Sequence, residues 1–134
     1  MASTRAAWRI SGCCVAKREY SYVRAFRVYP YSWHVYFFID REKWARYASR
    51  RGYGALKEQR QDVEDSNGIC TTDSKTSECY VGVFNRQPGT LAHEMTHAAT
   101  RILEGSGVKF TANNHEALAY LVGYLVDQCW PEIR

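Results

Sequence analysis

No apolar stretch in this chain approaches the roughly 20 residues needed to cross a bilayer as a helix, so a membrane span is not expected. The beginning, Met1-Ala2-Ser3-Thr4-Arg5, carries a positive charge but runs into Trp8-Arg9-Ile10-Ser11 instead of an unbroken apolar segment. That argues against a secretory leader and for a cytoplasmic protein. Prolines are scarce, three in 134 residues, while 46% of the residues are hydrophobic and 14% aromatic. This composition excludes disordered and collagen-like chains and points to one packed domain over residues 1–134. The chain also lacks any block of five consecutive like charges, and with it the signature of a charged interaction tail. Its five cysteines, Cys13, Cys14, Cys70, Cys79 and Cys129, are an odd set and cannot all pair. Their spacing fits no two-by-two zinc finger, so free thiols are expected.

The charge is unevenly laid out. Residues 1–60 sum to +9 and residues 61–134 to −5, giving the net +4. A basic half beside an acidic half suits either a nucleic-acid or acidic partner or, more simply, two solvated faces of one fold.

Periodicity supplies the elements. Tyr20 to Tyr29 and His34 to Ile39 mix aromatic and β-branched residues around the breaker Pro30-Tyr31-Ser32, which predicts two antiparallel strands; Trp8 to Ala16 is a further strand candidate. Asp40 caps a helix with Trp44, Tyr47, Ala48 and Arg51 at helical spacing, ended by Gly52 and Gly54. Residues 58–68 read as a loop. Ile69–Thr72 and Cys79–Phe84 flank Asp73-Ser74-Lys75-Thr76, which predicts a hairpin folded about Ser74-Lys75 with Cys70 opposite Cys79. From Gly89 the stripe Leu91, Met95, Ala98 and Ile102 predicts a helix ending at Gly105-Ser106-Gly107. A last helix, from about Asn114 to Gln128, is apolar nearly all round and is expected to be buried. The class is α+β: an antiparallel or mixed sheet, a helix in the first half, and two helices at the C-terminal end.

The chemistry lies in His93-Glu94-Met95-Thr96-His97. Residues four apart on a helix stand one turn apart on one side, so His93 and His97 can aim both imidazoles at one ion. Zinc suits two neutral imidazoles with a position left open for water, and Glu94, on the flank of the same face, is placed to act as general base. Two histidines do not complete a catalytic zinc site. Glu116, with 18 residues between it and His97 and a glycine break that lets the last helix fold back, is the first candidate for a third ligand. Two other readings stay open. Asn113 and Glu116 fit a capping box, in which the carboxylate serves the backbone, and His115 can replace Glu116 in an all-histidine set.

The run from Thr90 to Ala99 followed by Glu116-Ala117-Leu118-Ala119 resembles the gluzincin branch of the zincin metallopeptidases, with the spacing of the membrane-alanyl-type aminopeptidases. The resemblance covers about a third of the chain. It implies a minimal zincin-like domain and a zinc metallopeptidase that hydrolyses peptide or protein substrates. It further implies His93, His97 and Glu116 as zinc ligands, Glu94 as the base, and the strand around Cys79 to Asn85 as the edge along which an extended peptide lies. The family usually has Asn before the third-ligand Glu and often an acidic residue four positions after it; here those positions are His115 and Tyr120. Tyr120, one turn beyond Glu116, is a candidate for stabilising an oxyanion or, more simply, a core residue. Tyr124 reads as core. Arg101 shares the metal face, where it can meet a substrate carboxylate or pair with Glu104. Two other functions fit the same residues: a DNA-associated zinc protease with a histidine third ligand, and a non-enzymatic interaction module stabilised by the metal.

Overall fold

The computed structural model describes residues 22–52 and 66–134. Its strands are β1 (Arg24–Val28), β2 (Trp33–Phe38), β3 (Gly68–Asp73) and β4 (Glu78–Val83), and its helices are α1 (Arg41–Arg50), α2 (Pro88–Gly105) and α3 (Glu116–Ile133). The strand candidate Trp8 to Ala16 lies outside the described residues.

Alternation along β2 sets the layers. Trp33, Val35 and Phe37 face one side with Val28, Cys79, Val81 and Val83, while Phe38 faces the other with Tyr80. The first side is covered by α2 and α3, the second by α1, so the sheet is the middle layer of three. The four strands run in the order β1-β2-β4-β3. β1 is antiparallel to β2, β2 parallel to β4, and β4 antiparallel to β3, which makes the sheet mixed. All six residues of β4 are buried, as its interior position between β2 and β3 requires.

That order moves the edge. β4, the strand around Cys79 that the resemblance implied would carry substrate, has neighbours on both sides, and among the described residues the edge beside α2 is β3.

The β3–β4 hairpin forms, but two residues out of the expected register. Cys70 pairs with Val81, and Cys79 pairs with Thr72. The loop is the four residues 74–77, held by the Lys75 amide donating to Asp73 Oδ1 at 2.9 Å and by Ser77 at φ 57°. Slipping a strand by two residues leaves every side chain on its original face, so the hydrophobic pattern accepts both registers and the turn decides.

α1 follows its sequence signals closely. Asp40 accepts from the Lys43 amide at 3.0 Å, Trp44, Tyr47 and Ala48 are buried, and the Trp44 indole donates to the Tyr80 carbonyl at 3.1 Å. Gly52, at φ 88°, ends the helix. α2 closes on a Schellman arrangement: the Gly107 amide donates to the Glu104 carbonyl and Val108 to Leu103, with Gly107 at φ 75°.

α3 is not the buried helix its composition predicts. Only Leu121, Leu125, Cys129 and Ile133 are buried, one residue per turn, while Tyr120, Tyr124 and Trp130 are exposed. Among the described residues a single layer of helices lies on this side of the sheet, and none of them covers the outer face of α3.

Candidate metal centre and groove

Helix α2 has two working faces. Leu91, Met95, Ala98, Ala99, Ile102 and Leu103 are buried in the core. His93 and His97 stand exposed on the opposite side, and Glu94 lies between, 7% exposed. The predicted division of the helix is therefore observed, with Glu94 pushed inward to the margin of the core.

The two imidazoles converge. Their Nε2 atoms are 3.3 Å apart and the ring planes are inclined at 76°. A tetrahedral ion with bonds of about 2.0–2.1 Å holds neighbouring ligand atoms about 3.3 Å apart, so the pair spans the edge that such an ion requires. One ligand atom from each of His93, Glu94 and His97 lies within 4.8 Å of the others. Among the described residues this is the one His/Cys/Asp/Glu group with the spacing to hold a metal ion, and imidazole and carboxylate are donor types that zinc takes.

Glu94 reaches this position because residue 68 is glycine. A Cβ placed on Gly68 would lie 2.7 Å from Thr90 Cγ2, 2.9 Å from Glu94 Cγ and 3.0 Å from Glu94 Oε2. β3 and α2 thus meet at van der Waals contact across a missing side chain. Burial against the strand raises the Glu94 carboxyl pKa above its ordinary value, and His93 and His97 act in the opposite direction.

Beyond Glu94 the space opens into a groove of about 440 Å³ between the edge strand and the helix. Gly68, Ile69, Cys70, Thr71 and Thr72 form one wall, and Glu94, His97 and Arg101 the other. Cys70 is embedded in it. Burial is the largest influence on its thiol, Glu94 adds to it and Arg101 opposes it, and the pKa is pushed up to about 12.

The remaining candidates lie elsewhere. Glu116 is exposed as the first residue of α3, His115 is its exposed N-cap, and neither belongs to the cluster around His93. The alternative capping box of Asn113 and Glu116 does not form: the N-cap is His115, which makes no side-chain bond, and the Asn113 amide donates to Thr111 Oγ1. Tyr120 is 77% exposed and does not line the groove, so it is neither core nor beside Glu94. Tyr124, expected in the core, is 37% exposed and leans edge-on against Phe26. Arg101 pairs with Glu104 at 3.2 Å and also lines the groove, so both of its expected roles are open to it.

What the sequence did not single out is the strand wall. Gly68 was assigned to a loop, although an isolated glycine at the head of a strand marks a place where another chain segment approaches closely. No protein family, curated protein or solved structure matches the chain.

Proposed function

We propose that the protein is a zinc-dependent peptidase of the zincin type acting in the cytoplasm, with His93 and His97 as metal ligands, Glu116 as the third, and Glu94 as general base. The observation that carries the reading is the convergence of two imidazole Nε2 atoms at 3.3 Å beside a buried carboxylate, at the mouth of a groove walled by an edge strand. Bound zinc supplies a Lewis acid and lowers the pKa of a water molecule toward neutrality.

The chain's own residues do the rest. His93 and His97 orient the ion from successive turns of a rigid helix. Glu94, desolvated against Gly68, takes the proton from the attacking water and passes it to the departing amine. β3, an edge of the sheet among the described residues, offers its outer side to an extended substrate, whose backbone can pair with it as an added strand. Glu116, the exposed first residue of α3, stands outside the cluster and would complete the shell by swinging toward it from a helix that packs on α2. Free Cys70, Cys79 and Cys129 accord with a reducing compartment.

The test has two arms. Glu94→Gln keeps the shape and the ligands and is expected to retain stoichiometric zinc while lowering kcat about 100-fold or more; a mutant that still cleaves at the wild-type rate rejects Glu94 as the base. Metal analysis of Glu116→Ala beside His115→Ala then assigns the third ligand. Zinc lost only in His115→Ala replaces Glu116 and, with salt-sensitive DNA binding, favours the DNA-associated protease. Zinc retained in both with no cleavage of any peptide favours a metal-stabilised interaction module.

A further inference from the structure

We propose that Arg101 makes the far end of the groove a carboxylate-binding subsite, so that the preferred substrates are peptides carrying an acidic side chain or a free C-terminal carboxylate beside the scissile bond. This rests on the peptidase reading and names its substrate class.

Three observations carry it. Arg101 lines the same groove as Glu94 and His97, facing the strand residues Cys70, Thr71 and Thr72. It sits four residues past His97 on α2, about 6 Å along the helix axis, which is the span of about two residues of an extended peptide. The guanidinium is also available. Its ion pair with Glu104 joins side chains that are 62% and 52% exposed, a pairing that water screens and that a better-placed carboxylate displaces at little cost.

The chemistry is selective. Among the described lining residues, Arg101 is the one charged group apart from Glu94 and His97; Gly68, Ile69, Cys70, Thr71 and Thr72 add small or uncharged groups, and burial favours the protonated Cys70 thiol. A guanidinium forks onto a carboxylate through two parallel N–H···O bonds, whereas a neutral amide at the same place offers only one acceptor oxygen and no charge. The hydroxyl of Thr72, on the same sheet face as Cys70, is suited to share the bound carboxylate.

The experiment measures binding and cleavage separately. Two matched pairs of N-acetylated hexapeptides are titrated calorimetrically, at low ionic strength, into Glu94→Gln protein with and without zinc. One pair differs only by Glu against Gln, the other by a free against an amidated C-terminus. At least one pair is expected to favour its carboxylate member by about tenfold, and the pair that does identifies the source of the carboxylate. In the background of Arg101→Gln the preference should fall below about twofold. Arg101→Lys should keep part of it, and Arg101→Glu should turn it toward a lysine peptide. Equal binding within both pairs, or a preference that survives Arg101→Gln, overturns the subsite. Cleavage of the same peptides by the wild-type enzyme reports on the other reading. Charge discrimination in binding with no cleavage of any peptide removes the peptidase and leaves the subsite, whereas cleavage with equal kcat/KM within both pairs does the reverse.

Discussion

At the scale of single residues, the arrangement that matters most is a missing side chain. Gly68 allows the Glu94 carboxylate to lie against β3, and any Cβ there meets Glu94 and Thr90 at 3.0 Å or less. Gly68→Ala must therefore push the Glu94 carboxylate, the proposed base, or part the strand from the helix. Because a displacement of about 1 Å costs about 100-fold in rate, this substitution is expected to lower kcat about 100-fold while leaving zinc content intact; steady-state kinetics and metal analysis on one preparation check it, and an unimpaired kcat would show that the carboxylate does not need this contact. A second buried carboxylate, Glu78, illustrates the opposite arrangement. It accepts from Tyr80 Oη at 2.6 Å, Tyr36 Oη at 3.1 Å and Arg51 at 3.2 Å, on the face of the sheet away from the groove. Glu78 is fixed by its donors, whereas Glu94 is buried with its oxygens near two imidazoles and an open cleft, the state in which a base is useful.

At the scale of elements, α3 is the informative case. Its composition predicts burial all round, and the structure buries one residue per turn. Leu125→Ala removes a fully buried side chain and is expected to cost about 2–5 kcal/mol. Tyr120→Ala, on the outer face, is expected to change stability by no more than about 0.5 kcal/mol. Urea denaturation of the two variants reads the contrast, and a large loss in Tyr120→Ala would show that the outer face is covered in solution. The β3–β4 hairpin teaches a related lesson. Cys70 and Cys79 sit on the same face of the sheet in either register, and only the four-residue turn, with Asp73 and Ser77 shaping it, separates the two alignments.

At the scale of the whole molecule, the layers determine the response to pH. On the α1 side, burial and then the Glu78 carboxylate raise the phenol pKa values of Tyr36 and Tyr80 above the ordinary 10. On the α2 side, burial raises the thiols of Cys70, to about 12, and of Cys79. A group whose folded pKa lies above its unfolded value contributes stability below the unfolded pKa and loses it as pH rises toward the folded one. Both sets therefore act in the same direction, and the urea midpoint is expected to hold steady to about pH 8 and fall progressively between about pH 9 and 12. Tyr36→Phe and Cys70→Ser should each flatten that fall; a midpoint unchanged to pH 11 would contradict the burial of these groups. No helix among the described residues is long and apolar enough to cross a membrane.

Local signals were enough to specify α1, the turn of chain that ends α2, and the pairing of His93 with His97, because a cap, a glycine and a spacing of four residues act within one or two helical turns. The α+β class followed from the same kind of evidence, since periods of 2 and 3.6 are properties of short windows. Which strand lies at the edge, which register the hairpin takes and how much of α3 is covered are settled by segments far apart in the chain. Hydrophobic pattern says that a residue is to be buried without naming its neighbour, so β4 gave no sign that β2 would close its second side and expose β3 to the groove. The motif at His93 is a property of the sequence; the cleft beside it, the glycine contact that seats Glu94 and the arginine at its far end exist only once β3 is laid against α2.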